Sequence, residues 1–468
     1  MKKFYNRKNE LALLNKHFNY AKNNLITEVM MGRRRIGKTE IVRKYIKKAE
    51  SKSLYFYVTK KSSQIILDDF TAVLKENFDF LPNKIVSWED FFNIIFALSK
   101  KTRIIVVFDE FQNFQYIEKS VFSILQKKID EYKNTAKMHL LLIGSIQTLM
   151  EKIFKQKEPL YGRVDNFIYL KPFEFSEIVS ISHDHGVSDL EKIFDFYAIF
   201  NGVAKYYDLL EKFNLFDVKL EKMLEELVIR KDTPLYKEGE NLLIEEFGND
   251  YERYFDILFC LSCGKTKINE VVNIMQLPTT TISKYLSVLI NKYKLVERKT
   301  PLEKKNSRDS RYCLKDIFLK FWFRYVYKNY NKIEIEAIKP VIADFKKTFR
   351  QHKGLIFEEL VREILFKKIV NNNILPFCPQ SIGSYWDKKR EIDIYGEDKK
   401  NVLIGEIKLS AKAIDAQLIN KLEEFAKQQK KQVFKVVVSF DKIKDKRTVK
   451  LLNELGYYVF EINRIINF

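Results

Sequence analysis

Apolar and polar residues alternate along the first 170 positions in two recurring patterns. Short apolar or β-branched runs occur at Ile26–Met31, Leu54–Thr59, Arg103–Phe108, Met138–Gly144 and Phe167–Leu170. Amphipathic stretches of helical length separate most of them. This alternation predicts a parallel sheet covered by helices. From about Phe175 to Phe247 apolar residues recur at three- and four-residue spacing, which predicts helices. Residues 250–312 read as helices followed by a charged hairpin, and 313–350 as a helical, aromatic stretch containing FLKFWFRYVYKNY. From 354 onward an amphipathic helix leads into strand–turn–strand and then a further helix–strand pattern.

A chain of 468 residues calls for about three domains at roughly 100–200 residues each. The pattern divides it further, into a core at 1–172, a helical lid at 173–247, a module with connecting helices at 248–350 and a C-terminal α/β domain at 351–468. The expected class is α/β and multidomain.

The first candidate chemistry follows the first strand. Residues 32–39 read GRRRIGKT, which fits GxxxxGK[ST], the phosphate-binding loop. Gly32 and Gly37 allow backbone N–H groups to turn inward around phosphate oxygens. Arg33, Arg34, Arg35 and Ile36 complete the loop, and the following helix brings its positive end. Lys38 is expected to reach the outer phosphates of ATP, Thr39 to ligate Mg²⁺, and Glu40 to lie beside them. Residues 104–110 read IIVVFDE, a buried strand ending in two acids. Ligands of open α/β sheets bind at that edge. Asp109 is expected to hold Mg²⁺ through water, and Glu110 to polarise the attacking water. A third buried strand, MHLLLIGS at 138–145, ends at Ser145, which reads either as a γ-phosphate sensor or as a polar strand end; Gln147 is the next candidate. In PLYGR, Arg163 follows a glycine turn and reads either as a nucleotide-reaching arginine or as a surface one.

GRRRIGKT, the IIVVFDE strand, LLLIGS, PLYGR and NGVAKYY at 201–207, in that order, resemble the archaeal-type ATPase family, a P-loop group related to the AAA+ and STAND NTPases. The resemblance covers roughly residues 1–240. It implies that Arg163 belongs to the nucleotide-responsive part and that Asn201–Tyr207 packs near the nucleotide from the lid. Ala204 departs from the proline expected there.

Residues 265–298 have helix-turn-helix spacing, with one helix at Ile268–Met275, a break at Leu277–Pro278 and a second helix from about Thr280. Thr280, Thr281, Ser283 and Lys284 lie near the start of the second helix, the part that enters a major groove in DNA-binding relatives of this geometry. The next stretch, ERKTPLEKKNSRDSRY, holds six basic and three acidic residues. It reads as a wing whose Lys304, Lys305, Arg308 and Arg311 suit phosphate contacts. Winged helices also dock proteins, so DNA and a protein partner both remain open.

In REIDIYGEDKKNVLIGEIK at 390–408, strand alternation sets Glu391 and Asp393 on one face, and Glu406 and Lys408 on one face of the partner strand. Two carboxylates and a lysine suit Mg²⁺ binding and in-line attack on a phosphodiester. Glu358, on the helix GLIFEELVREIL, is a further acid. The arrangement resembles the PD-(D/E)xK restriction-endonuclease-like fold, and also the C-terminal DUF234-like domain that accompanies archaeal-type ATPases. Asp393, Glu406 and Lys408 carry the match, with Glu358 beside them. Ile392 stands where that motif begins with proline.

Charge widens the picture. Lys and Arg number 83 against 62 acids, a net charge of +21, which favours nucleic acid or another polyanion, or reflects a lysine-rich composition alone. Cys260 and Cys263 form a CxxC inside an apolar helical run, with no second close pair to complete a zinc site. His183 and His185 read as a polar helix end. The N-terminus is polar and no apolar run reaches the roughly 18 residues of a membrane span, so a cytoplasmic protein is expected. The readings that follow are an ATP-dependent switch acting on nucleic acid, with or without DNA cleavage, or an ATP-controlled scaffold whose nuclease-like domain is silent. A nucleotide-gated defence nuclease is a third setting, and oligomerisation is open.

Overall fold

The computed structural model describes residues 1, 3–78, 85–248, 251–301, 309–372 and 374–466. These fall into two compact units. One comprises Met1–His185 and Gly202–Asn214, the other Gly186–Asn201 and Leu215–Phe468.

The first unit is built on five parallel strands: β1 (Leu25–Met31), β2 (Lys52–Tyr57), β3 (Ile104–Asp109), β4 (Met138–Gly144) and β5 (Asn166–Tyr169), in the order β2-β3-β4-β1-β5. β3 and β4 are buried along their whole length, as their apolar sequences require once helices cover both faces. β3 runs one residue further than its apolar pattern because Asp109 continues the pairing with Tyr57 of β2. One face packs an aromatic cluster that includes Phe56, Phe70, Phe91 and Phe108. The other face carries the helix Lys38–Ala49 through Ile41, Val42 and Tyr45. A buried polar chain fixes that helix. His139 of β4 meets the Tyr45 hydroxyl at 2.6 Å and Glu28 of β1 at 2.9 Å, and Asn166 of β5 donates to Glu28 at 2.7 Å. A buried carboxylate is tolerated only with such partners, so the network sets the helix against three strands at once.

The second unit opens on helices. The helices Ile268–Met275 and Thr279–Asn291 precede an antiparallel pair, β6 (Val296–Lys299) and β7 (Arg311–Leu314). The chain then passes through an aromatic segment containing a π-helical turn at Trp322–Val326. The amphipathic helix expected at 354–365 is part of a longer one, Ile338–Asn372. Gly354 in its interior costs about 1 kcal/mol relative to alanine. Buried Phe345 and Phe349 on one side of it, and Ile356, Phe357 and Val361 on the other, carry the helix through. The last sheet is mixed, in the order β12-β11-β10-β9-β8, from β8 (Gly383–Trp386), β9 (Glu391–Glu397), β10 (Asn401–Lys408), β11 (Gln432–Ser439) and β12 (Tyr457–Glu461). β8, β9 and β10 are antiparallel neighbours, whereas β10, β11 and β12 are parallel.

His352 on the long helix is buried, with Nε2 against the Ala198 carbonyl oxygen at 2.9 Å. Burial, with Arg324 and Lys320 nearby, holds its imidazole down to about 4, from an ordinary value of 6.5. The folded state therefore resists protonation that the unfolded state accepts. The stabilisation is complete above pH 6.5 and is lost as pH falls towards 4, by about 3 kcal/mol. Denaturation of wild type and His352→Gln should give curves of stability against pH that diverge through this window, the wild type falling more steeply. Parallel curves contradict the assignment.

Candidate functional site

Three strand ends meet at the C-terminal edge of the first sheet. β4 lies between β1 and β3, so Ser145, just beyond β4, stands between the 32–37 loop and the Asp109–Glu110 pair. The loop is tight for a definite reason. A Cβ on Gly32 would lie 2.5 Å from the Leu170 carbonyl oxygen, and Gly37 has φ +95°. Arg35 also takes a left-handed conformation, and its carbonyl oxygen accepts from the Lys205 N–H at 3.1 Å. Ala204 approaches Gly37 from the same segment.

Lys38 opens the helix and is buried. Its ammonium donates to the carbonyl oxygens of Gly32 and Arg33, each at 2.8 Å. Burial lowers its pKa to about 8, against the pull of Glu110 and Asp109. A desolvated cation on a ring of backbone groups suits an anionic ligand. Thr39 Oγ1 donates to Asp109 Oδ2 at 3.1 Å, and the Tyr55 hydroxyl donates to the same oxygen. This hydroxyl–carboxylate pair is a hard oxygen donor set that fits Mg²⁺. Glu110, in a left-handed conformation, accepts at Oε2 from Ser145 Oγ at 2.7 Å and Gln112 Nε2 at 2.5 Å, with Arg34 3.5 Å away.

Other expected residues lie apart from this group. Glu40 is exposed and pairs with Arg43, and Gln147 donates along its own helix to Glu151. Arg163 is held by Asp130 through Nε at 3.2 Å and Nη2 at 3.1 Å. Tyr55 and Gln112 were missed. Gln112 follows the acid pair by two positions, a signal readable in hindsight. Tyr55 enters only because β2 pairs with β3.

The second sheet gathers another set. Asp393 Oδ2 accepts from Lys408 Nζ at 2.8 Å and from the Ile407 N–H at 3.0 Å. Lys408 also donates to Glu406 at 2.5 Å. Burial and the neighbouring Asp393 charge push both Glu358 and Glu406 up to about 7. Burial also opposes the charge of Asp393, but Lys408 and its hydrogen bonds hold it below its ordinary value. Oε1 of Glu406 is buried without a hydrogen-bond partner, with Lys421 at 3.8 Å. The unpartnered Oε1 fits a cation, which would compete with Lys408 for the carboxylate. Among the described residues, no group of three or more His, Cys, Asp or Glu is already arranged around a metal position.

Arg362 bridges this cluster and its surroundings, donating to the Asp393 carbonyl oxygen at 2.9 Å and lying 3.6 Å from Glu358. It also lines a cavity of about 470 Å³ with Arg298, Lys299, Lys315 and Trp386. On the helix Thr279–Asn291, Thr280, Ser283 and Lys284 are exposed and Thr281 is half-buried, while Ile282, Leu286 and Leu289 face inward. Arg311 is drawn onto Glu391 at 2.6 Å and stacks over Trp386. Lys304, Lys305 and Arg308 lie outside the described residues.

Comparison with known proteins bears on the first of these sites. Residues 4–206 match a family described as an ATPase domain predominantly from Archaea, and residues 322–424 match one described as archaeal and bacterial proteins of unknown function, DUF234. The chain carries an archaeal-type ATPase domain followed by a DUF234 domain. An uncharacterized protein of Methanocaldococcus jannaschii is 29% identical over 409 residues, covering 86% of this chain and 87% of that protein. Among solved structures, a Walker-type ATPase of Pyrococcus abyssi aligns with a TM-score of 0.49 and 17% identity, over 69% of this chain and 96% of that one. The Aeropyrum pernix ORC2 protein aligns with a TM-score of 0.47 and 13% identity, over 70% and 94%.

The ATPase domain thus contains the loop, the acid pair and Ser145, whereas Glu358, Asp393, Glu406 and Lys408 lie on the second unit, within the DUF234 match. Among the described residues no helix is long and apolar enough to cross a membrane.

Proposed function

We propose that this chain is an ATP-hydrolysing switch whose nucleotide state governs nucleic-acid binding, with metal-dependent phosphodiester cleavage at the second unit. In the ATPase domain, Lys38 and the loop N–H groups bind the phosphates, and Thr39 and Asp109 would hold Mg²⁺. That ion supplies charge to the phosphate oxygens. Glu110 takes a proton from the attacking water, and Ser145 and Gln112 orient Glu110. Arg163 would have to leave Asp130 to reach any nucleotide.

The remainder follows the four-module reading of the sequence. Residues 248–350 serve as a winged-helix module, with Thr280, Ser283 and Lys284 on the exposed side of its second helix. Residues 351–468 serve as a restriction-endonuclease-like domain. The observation that carries the nucleic-acid reading is the grouping of Glu358, Asp393, Glu406 and Lys408 beside the basic cavity lined by Arg298, Lys315 and Arg362. Acids beside a positive cleft place a phosphodiester next to metal-binding oxygens. Asp393 and Glu406 would hold the metal with Glu358, and Lys408 would activate or position water.

One observation favours a second reading. Lys408 already bridges Asp393 and Glu406, which suits a cleavage-silent domain that only binds. Plasmid and single-stranded DNA incubated with Mg²⁺ or Mn²⁺, with and without ATP, separates the two. Cleavage is expected, and Asp393→Ala should reduce it by about 100-fold or more. Salt-sensitive DNA retention without cleavage would select the binding-only reading. Absence of DNA binding at moderate salt would overturn both and favour a protein partner.

A further inference from the structure

The second unit has a cavity of about 350 Å³ far in character from the basic one. It is bounded by the helices Glu238–Phe247 and Tyr251–Ser262 and by the aromatic segment from Trp322 to Tyr330. Its walls are the rings of Phe255, Trp322, Tyr327 and Tyr330, and its other lining groups include the carboxylates Glu240, Glu252 and Asp256. The rings form one connected cluster. Phe255 meets Tyr327 edge-on at 4.6 Å and Trp322 at 6.3 Å, Trp322 stacks on Tyr327 at 5.8 Å, and Tyr327 lies 6.2 Å from Tyr330.

The backbone is shaped to hold these rings. The π-helical turn Trp322–Val326 interrupts the helical register just before Tyr327, a local feature often found at functional sites. Trp322 Nε1 donates to the Tyr236 carbonyl oxygen at 2.6 Å, and Tyr236 stacks on Tyr330 at 4.9 Å. Gly239 lets its helix reach the indole, since a Cβ there would lie 2.2 Å from Trp322 Cδ2.

The three carboxylates have no ion pair or side-chain hydrogen bond among the described residues. The cavity is therefore negatively lined in a chain whose net charge is +21. The negative lining repels phosphates, so neither ATP nor a nucleic-acid backbone fits. Among the described residues the three carboxylates are not gathered closely enough to enclose a hard metal ion, which needs several oxygens around one position. Ring faces combined with carboxylates attract an organic cation, the ring quadrupole and the negative charges acting together.

We propose that this cavity binds an organic cation, an alkylammonium or guanidinium group, through Phe255, Tyr327 and Tyr330, with Glu240, Glu252 and Asp256 supplying the charge. The site is independent of the nuclease reading. Isothermal titration of the full chain with tetramethylammonium chloride, and separately with N-acetylargininamide, tests it at ionic strength held constant with NaCl. Saturable binding of at least one probe is expected. It should weaken at least tenfold in Glu252→Gln/Asp256→Asn and in Tyr327→Leu, with circular dichroism and ATP affinity unchanged. Preference for the first probe assigns an alkylammonium ligand and preference for the second a guanidinium. tert-Butanol, a neutral molecule of similar shape to tetramethylammonium, should not compete. Should Tyr327→Leu fail to fold, the carboxylate variant alone decides. No saturable binding of either cation, equal binding of tert-butanol, or binding unaltered in the folded variants overturns the proposal.

Discussion

Lys38→Ala is expected to lower ATP affinity by at least about 100-fold, close to 3 kcal/mol, while leaving the protein folded. The ammonium is buried and donates to the carbonyl oxygens of Gly32 and Arg33. Its pKa, lowered to about 8 by burial, records an unfavourable desolvation that phosphate oxygens would relieve. Removing the amine takes away charge-assisted hydrogen bonds worth about 1.5–3 kcal/mol each and removes the one buried ammonium of the loop. It also removes the cost of burying that cation, so thermal stability without ATP should hold or rise. Calorimetric titration with ATP and Mg²⁺, beside a melting curve, checks both statements. Unchanged affinity would refute the role given to Lys38.

Glu110→Gln should behave differently, keeping ATP affinity within a few-fold and slowing hydrolysis by about 10²–10⁴-fold, the usual contribution of a general base. The amide is close in shape to the carboxylate and retains an oxygen for the Ser145 hydroxyl and Gln112. It cannot take a proton from water. Single-turnover hydrolysis measured beside nucleotide affinity separates this effect from a binding defect. A variant that hydrolyses ATP at the wild-type rate would move the base elsewhere, and a variant that no longer binds would make Glu110 part of the nucleotide cradle.

The loop and the acid pair were readable because each is continuous in sequence and bounded by an apolar strand. Glycine spacing dictates the turn, and a strand ending in Asp109–Glu110 must present both acids at the sheet edge. What the sequence concealed depends on contacts between strands. Tyr55 reaches Asp109 because β2 lies beside β3, and Ser145 meets Glu110 because β4 separates β3 from β1. Neither neighbour relation is written in a local pattern. The same holds for Arg163, whose glycine turn was visible but whose partner Asp130, on the helix Ser120–Tyr132, was not. At the second site, strand alternation correctly brought Asp393, Glu406 and Lys408 together across β9 and β10. Glu391 lay on the expected face, yet its carboxylate turns to Arg311. The length of the helix Ile338–Asn372 was masked by Gly354, since helix propensity carries no knowledge of the packing that overrides it.

The central claim is that nucleotide state controls nucleic-acid binding. The most direct test uses Glu110→Gln, which should hold ATP without consuming it, and measures its DNA affinity in saturating ATP and then in saturating ADP at one fixed salt concentration. A difference of about tenfold or more, absent in Lys38→Ala, is the predicted result. Equal DNA affinity in ATP and ADP, with binding of both nucleotides demonstrated, would contradict the account.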